Sequence, residues 1–224
     1  MRILVLVAGT NEQSNSAVLA DAFTEGMKCL TGLTVEKIRL KDVSIPHFAL
    51  AHYKPDADQG ADFARIGPAV MQADGVVIAT PIWNFSVPAH LKNFIDHLGT
   101  LALDQETRTK GQLKGKPFFF LFTGGAPLPA WKGLMRFTTS HVSEGLRYMG
   151  ATIVGRDFEG KCTAGKGVFT LVVDKRPETL ERMRRKGEKF ARFVERFMKT
   201  RKLPLYYRMF AKAYLFGQRV MAKL

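Results

Sequence analysis

This 224-residue chain predicts an α/β fold with an open, doubly wound parallel sheet, on three observations. Short apolar runs alternate with segments whose apolar residues recur at helical spacing, the rhythm of β-α units around one sheet. Three of those runs, residues 2–8, 76–79 and 118–122, are almost continuously hydrophobic, as strands covered on both faces must be. At their carboxyl ends stand loops rich in hydroxyl, amide, glycine and proline residues, the position where such sheets hold ligands.

Residues 2–8 are the first strand, and residues 15–30 place Val18, Leu19, Ala22, Phe23 and Met27 at helical spacing. Residues 33–40 alternate with period two, a strand with one wetter face. A long irregular stretch follows, residues 41–60, carrying Pro46, His47, Phe48, His52, Tyr53 and Pro55. Residues 63–73 read as helix, 76–79 as a central strand, 89–101 as helix, 118–122 as strand, 136–149 as helix and 152–158 as the last strand. Residues 168–173 look extended but fit no period cleanly. Pro177 opens a long helix toward Thr200, since proline suits a first helical turn. The expected architecture is about five parallel strands in the flavodoxin-like order, with helices on both faces. It occupies residues 1–200, and residues 201–224 form a basic helical extension.

Composition narrows the class. Hydrophobic residues make up 46% and charged residues 24%, ordinary for a globular domain able to bury one core. No apolar run reaches the roughly 20 residues that span a bilayer, and the chain opens on a strand instead of a signal pattern, so a cytoplasmic protein is expected. The two cysteines, Cys29 and Cys162, lie far apart without metal-ligand spacing; they read as idle thiols, and no metal is expected. The net charge of +14 is lopsided: residues 161–224 hold eighteen Lys/Arg against five Asp/Glu, the rest sixteen against fifteen. That pattern describes a basic appendage on a neutral domain and argues against a nucleic-acid-binding fold.

Each of the three loops has two readings. Residues 9–16 include Thr10, Ser14, Asn15 and Ser16 ahead of a helix, either a phosphate cradle of free N–H groups and hydroxyls or a plain N-cap by Ser14 or Ser16. No Gly-x-Gly-x-x-Gly follows the first strand, which disfavours a dinucleotide site there. In residues 80–96, Pro81 follows the central strand, Ser86 or Val87 is the expected N-cap, and Pro88 the first helical residue. Between them Ile82, Trp83, Asn84 and Phe85 offer large side chains and backbone amides to a flat ring system, or plug the crevice. Thr123, Gly124 and Gly125 allow close backbone approach, or make an ordinary turn. Residues 160–167 approximate a P-loop, but Gly167 occupies the metal-binding Ser/Thr position and a helix does not follow; a flexible turn is expected.

The run from Thr80 to Asp96 resembles the second flavin loop of the NAD(P)H-dependent FMN reductase, azoreductase and quinone reductase group, through Pro81, Ile82, Trp83, Asn84, Leu91, Lys92 and Asn93. Residues 9–16 are similar to its phosphate loop and residues 123–125 to its third loop, so the likeness covers about residues 1–160. Trp83 stands where the group often has Tyr, and the third loop is less polar than in azoreductases. The resemblance implies FMN, with Thr10, Ser14, Asn15 and Ser16 at its phosphate. Pro81, Ile82, Trp83, Asn84, Phe85, Thr123, Gly124 and Gly125 are implied at its ring, Asn84 foremost. It implies hydride transfer from NAD(P)H through FMN to a small-molecule acceptor, a quinone, flavin, azo or nitro compound, in a homodimer. Because the cofactor carries the chemistry, no protein catalytic residue is expected. The five histidines read as structural or solvated, and His47, Phe48 and Tyr53 are candidates for the acceptor side.

Two other functions stay open, a flavodoxin-like electron carrier and a non-enzymatic interaction protein using its basic tail. In that tail a helix over residues 206–224 would gather Arg208, Lys212, Arg219 and Lys223 within about 60°, with the aromatic and apolar residues opposite. Such a helix lies on an anionic membrane through residues 203–224 or docks on a partner, or it packs on its own domain or on a symmetry mate.

Overall fold

The computed structural model describes residues 1–164, 168 and 170–221. Its strands β1 (Arg2–Val7), β2 (Thr34–Arg39), β3 (Gly75–Pro81), β4 (Pro117–Thr123) and β5 (Thr152–Glu159) form one parallel sheet in the order β2-β1-β3-β4-β5. The helices are α1 (Asn15–Met27), α2 (Ala61–Gln72), α3 (Ala89–Ala102), α4 (Leu128–Ala130), α5 (Arg136–Thr138), α6 (Ser140–Tyr148), α7 (Pro177–Thr200) and α8 (Leu205–Met221).

Strand alternation sorts the core into two layers. Leu4, Leu6, Val76, Ile78, Phe118, Phe120 and Phe122 face α2, α3 and α6. Ile3, Val5, Val7, Val77, Ala79, Phe119 and Leu121 face α1 and α7. This explains why three strands read as unbroken apolar runs: both faces are dry. Where α1 and α7 cross, a methyl group on Gly26 would strike the Arg184 carbonyl, and one on Gly187 the Phe23 carbonyl. The two glycines let the helices touch backbone to backbone, and this contact fixes α1, whose amino end faces the ligand loops.

Three expectations are corrected. The helix expected over residues 136–149 belongs to a helical segment that begins earlier, with α4 at Leu128, a π-helical turn over Trp131–Met135, then α5 and α6. Pro127 and Pro129 resemble loop residues but sit at a helix start, where a missing N–H costs nothing. Trp131 is buried and stacks on Phe158 with centroids 5.0 Å apart. The described part of residues 168–173 is no strand; it leads into a 3-10 turn over Val173–Lys175. The N-cap of α3 is Pro88 and its first residue Ala89, because Ser86 is committed to a turn with Trp83. Residues 165–167 of the near P-loop lie outside the described residues.

Candidate functional site

The ends of β1, β3 and β4 are stitched side by side. Ala8 N–H donates to Ala79 O at 2.8 Å, Ile82 N–H to Thr123 O at 2.7 Å, and Gly124 N–H to Glu159 O at 3.1 Å. The sheet thus continues past its last regular residues and holds the three loops as walls of one cleft of about 420 Å³, counting its open mouth. Eight residues singled out in the sequence line it: Thr10, Ser14, Asn15, Pro81, Ile82, Trp83, Thr123 and Gly124. Among the described residues, Gly9, Asn11, Cys162 and Thr170 also line it.

The first wall is built around α1. Ser14 is the N-cap, its Oγ accepting from Ala17 N–H at 3.4 Å, while Val18 N–H donates to Ser14 O at 3.0 Å. The N–H groups of Asn15 and Ser16, the first two helical residues, have no acceptor within the helix, which leaves them for an anion. Ser16 is buried behind Ser14, with the hydroxyl oxygens 2.8 Å apart; it supports the wall without lining it. Above them Gly9 has no room for a side chain, since a Cβ would collide with the Ser14 and Ser16 hydroxyls. That bare backbone makes a cradle. Arg39 braces the loop from below, its guanidinium donating to Asn11 O at 2.7 Å.

The Asn15 side chain faces another way. Its Nδ2 donates to Thr170 O at 2.7 Å and its Oδ1 accepts from the N–H groups of Val172 and Val173. It holds the segment that supplies Thr170 to the cleft.

The second wall is a tight hairpin. Trp83 and Ser86 exchange two backbone bonds of 2.8 Å, and the central residues Asn84 and Phe85 both take positive φ, 46° and 65°. This is the signature of a two-residue type I′ turn, which Asn tolerates and a bulky aromatic resists. Ile82 is buried at the base, Trp83 is 38% exposed at the rim, and Phe85 is 60% exposed at the tip. Asn84 and Phe85 therefore stand outside the cleft lining, as does Gly125 in the third wall.

Residues 41–60 are bound to α3 instead. Asn93 accepts from Phe48 N–H at 2.8 Å and donates to Pro46 O at 2.9 Å, and His97 Nε2 lies 2.8 Å from Pro46 O. Phe48 packs edge-on against Tyr53 and His97. The candidates Phe48 and Tyr53 are half-buried in this cluster, His47 is exposed, and none lines the cleft. Cys162 does line it, a residue that spacing marked as idle; nothing local in the sequence shows that Cys162 N–H donates to Gly124 O at 3.0 Å. Its thiol is pushed up to about 11 by burial, so it stays protonated and unreactive.

Among the described residues the lining carries no ionised side chain, and its donors are backbone N–H groups, the hydroxyls of Thr10, Ser14, Thr123 and Thr170, the side-chain amides of Asn11 and Asn15, and the Trp83 indole N–H. Such a set suits a mononucleotide with its phosphate at the start of α1 and a planar ring against loops two and three, and the glycine cradle fits FMN.

Known proteins agree with that geometry. Residues 1–158 match the family model of NADPH-dependent FMN reductases. An FMN-dependent NADH:quinone oxidoreductase of Bordetella parapertussis is 29% identical over 142 residues, covering 56% of this chain and 68% of that protein. One of the same name from Alcanivorax borkumensis is 27% identical over 143 residues, covering 56% and 71%. The fold resembles an NAD(P)H:quinone oxidoreductase from Methanothermobacter marburgensis with a TM-score of 0.65, at 22% identity over 84% of this chain and 95% of the other. It also resembles an FMN-dependent NADH-azoreductase from Bacillus anthracis, solved in complex with FMN, with a TM-score of 0.64, at 18% identity over 86% and 98%. The chain belongs to the NADPH-dependent FMN reductase family and is an FMN-dependent oxidoreductase.

Proposed function

We propose that the cleft holds FMN between an NAD(P)H donor and a small-molecule acceptor, a quinone, flavin, azo or nitro compound. Bound FMN supplies a two-electron carrier. The observation that carries the proposal is the convergence of three strand-end loops on one cleft whose first wall is the Gly9 cradle over Ser14. In this reading Thr10, the Ser14 hydroxyl and the N–H groups of Asn15 and Ser16 receive the phosphate. Ile82 and the backbone of Thr123 and Gly124 back the ring, Trp83 closes its edge against water, and Asn84 and Phe85 stand at the mouth, where the acceptor enters.

The same proposal has the protein working as a cytoplasmic homodimer, with NADPH among its donors. Residues 1–200 are its catalytic domain, and residues 203–224 make a peripheral contact with anionic membrane. Among the described residues no helix is long and apolar enough to cross a membrane. Titrating the apoprotein with FMN tests the site: flavin fluorescence quenches to a one-to-one endpoint if the cleft binds it. Fluorescence unchanged by the protein would overturn the proposal.

A further inference from the structure

The extension is pinned to the domain. Tyr207 OH donates to Val154 O of the edge strand β5 at 3.1 Å, Tyr214 OH to Glu144 O at 3.4 Å, and the Arg147 guanidinium lies 5.0 Å over the Phe210 ring. Tyr207 and Tyr214 are two turns apart and share one face of α8. The opposite face is apolar as well. Leu205, Met209 and Phe216 fall within about 40° of one another, and they are 67%, 62% and 69% exposed. The exposed Arg208 and Lys212 flank this stripe on one side. The expected single apolar arc is therefore divided: Tyr207, Phe210 and Tyr214 touch the domain, while Met209 and Phe216 face outward. Arg219 beyond its backbone, and Lys223, lie outside the described residues.

We infer that the Leu205–Met209–Phe216 stripe seats α8 on the surface of an anionic bilayer. Three large apolar side chains on one side of a docked helix are buried favourably by acyl chains, at about 25 cal/mol per Å² of apolar surface. The flanking cations have aliphatic stems that reach past the stripe and leave their charges at headgroup level. Charge also selects this occupant over a second copy of the chain. Residues 161–224 hold eighteen Lys/Arg against five Asp/Glu, with no acid after Glu195, so a symmetric partner would bring like charge against like. An anionic surface complements it. At 17 residues α8 is about 25 Å long, suited to lying in the interface plane. The inference specifies the peripheral contact proposed above and is independent of the flavin chemistry.

The test uses the full chain with FMN and phosphatidylcholine vesicles, with and without phosphatidylglycerol. Co-sedimentation is expected with the anionic vesicles and not with the neutral ones. Substituting Leu205→Ser, Met209→Ser and Phe216→Ser together should lower it about tenfold or more, with circular dichroism and flavin absorbance unchanged. Arg208→Gln and Lys212→Gln should each lower it about fivefold, and they carry the test if the serine variant misfolds. Wild-type protein that stays in the supernatant, or serine and glutamine variants that bind like wild type, would overturn the inference. So would serine substitutions that split an oligomer in sedimentation velocity while leaving vesicle binding intact. Failure of the flavin reading shows separately, as absent flavin absorbance.

Discussion

Asn15 Oδ1 lies 2.9 Å from the amide nitrogen of Val172 and 3.1 Å from that of Val173, which joins the first residue of α1 to a segment about 157 positions away in the chain. Its Nδ2 closes the clamp on Thr170 O. With the side chain so engaged, what Asn15 offers a phosphate is its backbone N–H.

Asn15→Ala removes three hydrogen bonds and frees the segment carrying Thr170. A net worth of about 1 kcal/mol per bond gives a loss of about 2–3 kcal/mol in denaturant unfolding. FMN affinity should fall about tenfold, equivalent to about 1.4 kcal/mol. Unchanged stability and affinity would show that the clamp does not shape the cleft.

Gly9→Ala tests the cradle from the opposite direction, since the new methyl group meets the Ser14 and Ser16 hydroxyls. Overpacking of this kind costs about 1–3 kcal/mol, and the phosphate would have to sit on a displaced Ser14. Titration should show FMN affinity reduced more than tenfold, roughly, while riboflavin, which lacks the phosphate, loses less. Equal losses for both ligands would move the phosphate elsewhere.

Phe85 holds a left-handed backbone at φ 65°, which costs a bulky residue about 1–2 kcal/mol. Phe85→Gly should therefore raise unfolding stability by about 1 kcal/mol. If the exposed ring guides the acceptor, quinone KM rises in the same variant while FMN affinity holds. A variant that is both less stable and fully active would refute the strained-tip reading.

His97 is fully buried, and burial holds its pKa below the ordinary imidazole value, against a smaller upward pull from the Pro46 carbonyl. The unfolded chain keeps a value of about 6.5. Between the folded pKa and about 6.5 the unfolded state binds more protons, so stability is full above that range and is lost as pH falls. His90, lowered by burial beside Ala8 O, acts in the same sense. Unfolding free energy should drop as pH falls below about 6.5, with a shallower slope in His97→Gln. An identical slope in that variant would assign the loss to other groups.

Much of the fold was legible because its signals are local. Unbroken apolar runs marked the central strands, and Pro177 marked the start of α7 to the residue. Strand-end position also picked out Thr10, Ser14, Pro81, Ile82, Trp83, Thr123 and Gly124 as cleft residues. What stayed hidden depends on distant contacts. The partners of the Asn15 side chain, Thr170, Val172 and Val173, lie too far along the chain for its local sequence to show that only its backbone N–H is left for a phosphate. Cys162 looked idle because its place in the cleft comes from pairing with Gly124. Asn84 drew attention as the polar residue of an aromatic loop, yet its role in the turn is the positive φ it tolerates. The tail's apolar arc could not be divided until Tyr207 and Tyr214 found acceptors on β5 and α6.

Anaerobic stopped-flow absorbance of the FMN-loaded protein, mixed first with NADPH or NADH and then with a quinone, tests the central claim most directly. The flavin band should bleach at a rate that saturates with donor and return in full when quinone is added. A band that persists through excess donor, or that bleaches and is not restored by quinone, azo or nitro acceptors, would contradict it.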